Sequence, residues 1–164
     1  MKEIPFNFSS SASNEKKYLS DVLKSRHLQG DGPYTEKCQM HLDRIHEDFT
    51  SLLTTSCTDA LELAALLIDI KVGDEFILPS YTFPSTANAF AIRGANIIFC
   101  DISLENYNLC LNDLEKLITT KTKGIVTVNY AGIGCDYNRI RELVNGKNIV
   151  IIEDNAQGFL SKHN

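Results

Sequence analysis

Short segments that are apolar at every position constrain the fold of this chain more than any other feature. The clearest lies at residues 149–152, which read Ile-Val-Ile-Ile. A strand without polar alternation needs cover on both faces, and such strands are typical of a mostly parallel sheet between layers of helices. Short, largely apolar segments predict five strands, at 51–54, 76–79, 97–100, 124–128 and 148–152.

Helical periodicity precedes these strands and fills the intervals between them. It predicts six helices, at 14–28, 34–49, 58–70, 84–93, 112–119 and 137–145. Asn112 followed by Glu115 has the form of a capping box at the start of one of them. Alternation of short strands with helices indicates the α/β class, with a mostly parallel sheet flanked by helices.

We expect one layered domain over residues 1–164, with an N-terminal arm and helices at 1–50 and the sheet at 51–164. Hydrophobic residues make up 43% of the 164-residue chain, which is enough to build a core. Parallel α/β sheets bind ligands beyond the carboxyl ends of their strands, in the loops that enter helices. Those loops are where we look for chemistry.

Charge and cysteine content exclude several classes of function. The formal net charge is -5 and no Lys/Arg run is present, so we expect no nucleic-acid partner. The five cysteines are odd in number and form no C-x-x-C pair, which predicts neither a metal site nor a disulfide framework and favours a cytoplasmic location. The longest apolar stretch, around 61–70, is too short for a membrane span. P-loop and dinucleotide fingerprints are also missing from the sequence.

The loop at residues 54–61 joins a predicted strand to a strongly apolar helix and is rich in small hydroxyl residues. The free N–H groups and the dipole of a helix N-terminus favour an anion, so a phosphate monoester would be held here without a lysine. The alternative is that Ser56 or Thr58 only caps the helix.

Two further loops carry side chains suited to a planar, charged ligand. The segment at 79–86 places Tyr81 and Phe83 where they would stack on a flat ring, although both residue types are also common in cores. The segment at 151–158 delivers Glu153 and Asp154 to the tip of a buried strand. An acid there must be exposed, cap a helix, bind a metal or meet a cation.

Taken together, these loops resemble the DegT/DnrJ/StrS family of sugar-nucleotide aminotransferases, which use pyridoxal 5′-phosphate (PLP) and have fold type I. The similarity runs along nearly the whole chain. Its motifs are IPFN at 4–7, GDGPYT at 30–35, SCTDALELAALLI at 56–68, GDEFILPSYTFPSTANAF at 73–90, RGA at 93–95, NYAG at 129–132 and IEDNAQG at 152–158. Within the family the chain is most similar to the dTDP-4-amino-4,6-dideoxygalactose transaminases of enterobacterial surface-polysaccharide synthesis.

The resemblance implies a role for each of these loops in holding PLP. Cys57 and Thr58 match the family's phosphate-binding turn, and Phe83 matches the aromatic residue against the cofactor ring. Asp154 matches the carboxylate that pairs with the pyridine nitrogen. A carboxylate there keeps the nitrogen protonated, so that the ring withdraws electrons.

Four other positions bear on the pocket that the resemblance implies. Gln157 matches the residue beside the ring's phenolic oxygen, and Ser85 is a candidate for the substrate side. Asn129 stands where histidine is commoner in the family, and Asn155 stands where alanine is commoner. Both departures are polar and lie near the implied pocket.

The resemblance also implies the reaction and its partners. We expect a nucleotide-linked 4-keto-6-deoxy sugar as substrate, glutamate as amino donor, and a homodimer. Transamination needs a lysine that forms an imine with the cofactor, and in the family it lies well beyond IEDNAQG. Lys162 is too close to Asp154 to match it, while Lys121, Lys123 and Lys147 lie in predicted surface connections.

The chain is therefore expected to be the front part of the PLP-binding large domain, without the small C-terminal domain and inactive on its own. One alternative is a non-catalytic fragment that only dimerises or binds a partner. Another is an unrelated α/β nucleotide-binding domain, which the lack of a glycine fingerprint disfavours.

Overall fold

A computed structural model describes Pro5 and residues 8–46 and 49–161. It divides into two compact units, Met1–Leu53 and Thr54–Asn164. Of the predicted motifs, most of IPFN lies outside the described residues, as does Lys162.

The first unit contains two helices, α1 (Glu15–Ser25) and α2 (Pro33–Ile45). Arg26 ends α1 in a left-handed conformation, and Pro33 occupies the first turn of α2, where its fixed φ suits a helix start. The rings of Tyr18 and Tyr34 meet edge to face at 5.5 Å. Neither helix buries a residue fully, and apolar side chains such as Leu19 and Leu23 are exposed.

The second unit is built on a four-stranded sheet in which every strand pair is parallel. Its strands are β1 (Glu75–Pro79), β2 (Asn96–Cys100), β3 (Thr122–Val128) and β4 (Val150–Asp154). The spatial order is β2-β1-β3-β4. This confirms the predicted α/β class and parallel sheet.

Helices cover both faces of the sheet, as the uniformly apolar strands require. They are α3 (Cys57–Leu67), α4 (Pro84–Ala91), α5 (Leu111–Leu117) and α6 (Tyr137–Val144). Side chains alternate across the sheet: Phe76 and Leu78 of β1 join the core cluster with α3 and α4 residues, while Ile77 joins the cluster with α5 and α6 residues. All three are fully buried.

Two local predictions are wrong. Residues 51–54 form no strand, and the side chains of Leu52 and Leu53 are 68% and 44% exposed. An isolated apolar segment cannot form a strand without a neighbour to pair with. The capping box also fails, because α5 begins one residue before Asn112 and its N-cap is Cys110, which makes no side-chain cap.

All four strands run in the same direction, so their carboxyl ends lie at one edge of the sheet. The first connection places β2 on one side of β1, and the next places β3 on the other. This reversal of strand order opens a crevice between the loops after β1 and β3. Asp154 ends β4 directly beside Val128 of β3, at the same edge.

Candidate cofactor site

A cavity of about 310 Å³ lies at the carboxyl edge of the sheet, at the low end of the range for small-molecule sites. The three segments singled out in the sequence supply most of its walls. Its lining residues are Cys57, Thr58, Thr82, Phe83, Ser85, Val128, Asn129, Tyr130, Asp154, Ala156 and Gln157. The structure thus brings all six candidate site residues to one cavity, although their individual roles stay predictions.

One end of the cavity is formed by the first turn of α3. Ser56 is the N-cap, and its Oγ accepts a hydrogen bond from the Asp59 N–H at 3.2 Å. Different residues therefore cap the helix and face the cavity, because Ser56 is the cap while Cys57 and Thr58 line the cavity. A helix's first N–H groups have no partner within the helix, so those of Cys57 and Thr58 suit a phosphate.

Asp154 is buried, with 5% of its surface exposed, although it ends a strand and lines the cavity. Its Oδ2 accepts a hydrogen bond from the Thr86 hydroxyl at 2.6 Å. Its Oδ1 accepts one from the Ala156 N–H at 3.3 Å and a longer one from Cys57 Sγ at 3.6 Å. Asp154 is not a helix cap, because β4 is followed by turns within the described residues.

The Cys57 thiol faces this carboxylate. Partial burial of the thiol raises its pKa, and the negative charge of Asp154 raises it further. Cys57 therefore stays a neutral thiol near neutral pH and acts as a weak donor rather than a nucleophile.

Phe83 presents an exposed aromatic ring at the cavity mouth, with 69% of its surface accessible. It is the N-cap of α4, and Pro84 follows in the first turn. The fixed φ of proline pre-organises that turn. Ser85 comes next and also lines the cavity. An aromatic residue this exposed is available to cover a flat ligand.

Gln157 and the loop after β3 form another part of the wall. Gln157 Oε1 accepts a hydrogen bond from the Ala131 N–H at 2.8 Å. Ala131 has φ +53°, which is uncommon for a residue other than glycine. Because this bond occupies the side-chain oxygen, the amide nitrogen of Gln157 remains as its donor.

Asn129 is the centre of a buried hydrogen-bond network, with 3% of its surface exposed. Its Nδ2 donates to Asn155 Oδ1 at 3.0 Å and to the Glu153 carboxylate. Its Oδ1 accepts from the Tyr137 hydroxyl at 3.1 Å and from the Cys135 N–H at 3.3 Å. The two positions that depart from the family pattern, Asn129 and Asn155, are thus hydrogen-bonded to each other.

Sequence reasoning missed Thr82, which lines the cavity, and Thr86, which is buried behind it. The Thr82 hydroxyl donates to Thr86 Oγ1 at 2.8 Å, and Thr86 in turn donates to Asp154. Two threonines four residues apart at a helix start were the available signal. Their partner lies 68 residues away in the chain, so the pattern alone could not identify it.

The lysines lie elsewhere. Lys121, Lys123 and Lys147 border a second cavity, at the amino ends of β3 and β4, the opposite edge of the sheet. Within the described part of the chain, no lysine lines the cavity that contains Asp154.

The donor set of the cavity fits PLP. A helix N-terminus faces the position for an anion, an exposed ring offers a stacking surface, and a buried carboxylate offers an acceptor for a cationic nitrogen. Across residues 8–46 and 49–161, no group of His, Cys, Asp and Glu side chains could hold a metal ion. Nor does any helix in the described segments have the length and apolar character needed to cross a membrane.

A parallel α/β domain with these three features around one crevice is of the class that holds a phosphorylated aromatic cofactor. Comparison with known proteins gives the family. The chain belongs to the DegT/DnrJ/EryC1/StrS aminotransferase family, whose profile matches residues 9–164.

One similar curated relative is the GDP-perosamine synthase of Escherichia coli O157:H7, which is 35% identical over 99% of this chain and 45% of its own length. Two solved structures are each 30% identical. The aminotransferase from Psychrobacter cryohalolentis has a TM-score of 0.86 over 93% of this chain and 39% of its own. NtdA from Bacillus subtilis, solved with bound cofactor PMP, has a TM-score of 0.83 over 89% of this chain and 33% of its own. The chain thus spans less than half the length of these relatives.

Proposed function

We propose that this chain forms the front part of the PLP-binding domain of an aminotransferase that acts on a nucleotide-linked sugar. The observation that carries the proposal is the placement of Asp154. A buried carboxylate at the tip of β4, open to a cavity that also contains a helix N-terminus, is costly unless a cation meets it. A protonated pyridine nitrogen is such a cation.

Two segments would hold the ends of the cofactor. Cys57 and Thr58, at the start of α3, would bind the phosphate through their N–H groups and the Thr58 hydroxyl. Asp154 would accept a hydrogen bond from the protonated ring nitrogen, and Phe83 would cover one face of the ring. The amide nitrogen of Gln157 would donate to the phenolic oxygen.

When bound, PLP supplies an electron sink for the bond that breaks next to the amino group. The contribution of these residues is electrostatic and positional. Asp154 keeps a positive charge on the ring nitrogen, the first turn of α3 neutralises the phosphate, and the aromatic ring of Phe83 excludes water from one side of the cavity.

We propose that the imine lysine comes from outside the described segments. The support is the position of Lys121, Lys123 and Lys147 at the opposite edge of the sheet from Asp154. The 164-residue chain alone should then not transaminate a 4-keto-6-deoxy sugar nucleotide with glutamate. Robust conversion by the purified chain would contradict this part of the proposal.

Membership of the family supports a further proposal for the substrate and the assembly. We propose a nucleotide-linked 4-keto-6-deoxy sugar, with Ser85 on the substrate side, glutamate as amino donor, and a role in surface-polysaccharide synthesis. We also propose a homodimer, in agreement with the exposure of Leu19 and Leu23 on α1 (65% and 67%). The cytoplasmic location stays a prediction from cysteine usage.

The cofactor part is tested by titration with pyridoxamine 5′-phosphate (PMP), which carries an amine in place of the aldehyde and therefore forms no adventitious imine with surface lysines. Wild-type chain should bind PMP, and Asp154→Asn should weaken binding by roughly tenfold to a hundredfold, the usual worth of a charge-assisted hydrogen bond. Asp113→Asn is the matched control, because Asp113 lies on α5 in an exposed ion pair with Lys116. Equal affinities for wild type and Asp154→Asn would refute the role of Asp154.

A second candidate is a non-catalytic fragment that only dimerises or binds a partner, and the lack of a lysine among the described residues that line the cavity favours it. Adding a separately produced lysine-bearing part of a relative distinguishes the two. Recovered transamination supports the proposal that the chain is the front part of an aminotransferase. PMP binding with no recovered turnover supports the non-catalytic fragment.

A further inference from the structure

Two threonine hydroxyls in series connect the loop after β1 to the carboxylate of Asp154. The Thr82 hydroxyl donates to Thr86 Oγ1 at 2.8 Å, and the Thr86 hydroxyl donates to Asp154 Oδ2 at 2.6 Å. A hydroxyl has one proton. Since Thr82 donates into a lone pair of Thr86, the single proton of Thr86 is free to point at Asp154.

Thr86 is a rigid anchor for that carboxylate. It is fully buried, in the first turn of α4, and its N–H donates to the Phe83 carbonyl at 3.0 Å. Helix α4 packs against α3 and against β1 and β2. Any displacement of the Thr86 hydroxyl would therefore require movement of a packed helix.

Counting acceptor positions shows which oxygen of Asp154 has capacity to spare. A carboxylate offers about four lone-pair positions, two on each oxygen. Among the residues that the structure describes, Oδ1 already receives the Ala156 N–H and the Cys57 thiol, whereas Oδ2 receives only Thr86. The remaining position is therefore on the oxygen that Thr86 holds.

We propose that Thr86 is a positioning residue, which holds Oδ2 of Asp154 in place for the ring nitrogen of the cofactor, and that Thr82 orients the Thr86 proton. This inference rests on the proposed cofactor role of the cavity. Thr82 and Thr86 need not contact the cofactor themselves for this role. Without Thr86, the carboxylate keeps its charge but loses the donor that fixes its orientation.

The first test uses PMP binding and three variants. Thr86→Val keeps the shape of the side chain and removes the hydroxyl, Thr86→Ser keeps the hydroxyl, and Thr82→Val removes only the outer hydroxyl. We expect Thr86→Val to weaken PMP binding about tenfold, Thr82→Val to weaken it less, and Thr86→Ser to restore it to within about twofold. The absorbance of bound PMP should also show loss of the ring proton at a lower pH in Thr86→Val, because a misaligned carboxylate stabilises the pyridinium less.

The second test needs no cofactor. NMR coupling constants report the χ1 rotamer of Asp154 in the apo chain. They should indicate one rotamer in wild type and Thr86→Ser, and averaging in Thr86→Val. Thermal unfolding of each variant separates misfolding from loss of positioning. If Thr86→Val does not fold, Thr82→Val, at a less buried position, takes its place in both tests.

The outcomes distinguish this inference from the proposed function. Absence of PMP binding by wild type would refute the cofactor role, while the rotamer measurement would still decide whether Thr86 holds Asp154. A Thr86→Val chain that binds PMP like wild type, with Asp154 in one rotamer, would overturn the inference and leave the cofactor role standing.

Discussion

Replacing Gly124 by alanine tests how tightly the centre of the sheet is packed. Gly124 of β3 pairs with Phe76 of β1. A Cβ at Gly124 would lie 2.4 Å from Phe76 Cε1 and 2.7 Å from Cδ1, well inside van der Waals contact. The Phe76 ring cannot move aside to make room, because it is fully buried and stacks on Phe90 at a centroid distance of 4.7 Å.

The expected cost follows from overpacking. Inserting a methyl group into a packed core costs about 1–3 kcal/mol, and the pinned ring places Gly124→Ala in the upper half of that range. For a domain of this size the fall in Tm is on the order of 10 °C. The sign of the change in unfolding free energy is informative, because alanine in place of glycine otherwise stabilises a compatible site by about 0.4–1 kcal/mol.

Urea unfolding followed by circular dichroism measures the effect as a shift in midpoint at constant slope. Gly30→Ala is the control, because no atom lies within 4 Å of a Cβ built at Gly30, and it should be neutral or slightly stabilising. In a Phe76→Leu background, the penalty of Gly124→Ala should fall by more than about 0.5 kcal/mol, the largest departure from additivity expected for uncoupled sites. A single Gly124→Ala variant as stable as wild type, or a penalty unchanged by Phe76→Leu, would refute the reasoning.

Two further predictions concern the walls of the cavity. A Cβ at Gly158 would lie 2.1 Å from Asn155 Oδ1 and 3.0 Å from Asn129 Cβ, so Gly158→Ala should destabilise the chain by about 1–3 kcal/mol. In a double-mutant cycle, Asn155→Ala should recover part of that loss. Additive effects of the two substitutions would contradict the contact. Because its pKa is raised, Cys57 should be alkylated more slowly at pH 7 than a free cysteine peptide, and faster as pH rises or in Asp154→Asn. PMP should protect Cys57 but not the exposed Cys38 in a mass-spectrometric peptide map, and equal protection of both would contradict binding in the cavity.

The sheet was predictable because its strands contain consecutive apolar residues, which indicate burial on both faces of the sheet. Phe76, Ile77 and Leu78 are apolar in succession, and each proves to be fully buried. The segment at 51–54 has a similar composition without forming a strand, because strand formation depends on a pairing partner that composition does not reveal. Likewise, β4 extends to Asp154 because its ladder with Val128 continues, two residues beyond the apolar run.

The placement of Phe83 and Asp154 at one cavity was predictable, because one follows a strand and the other ends a strand at the same edge of the sheet, and their roles toward a cofactor stay predictions. Thr86 and Asn129 were not assigned such roles from sequence, because their partners are set by tertiary packing. Thr86 meets Asp154 only when α4 packs beside the sheet. Asn129 differs from the family's commoner histidine, and the four groups that hydrogen-bond to its side chain show why an amide is suited there: it needs both a donor and an acceptor end.

A crystal structure of the chain with PMP is the most direct measurement. The account predicts the phosphate at the N–H groups of Cys57 and Thr58, the ring against Phe83, and the pyridine nitrogen at Asp154. PMP bound instead at the cleft of Lys121, Lys123 and Lys147, or a cavity left empty at saturating PMP, would contradict it.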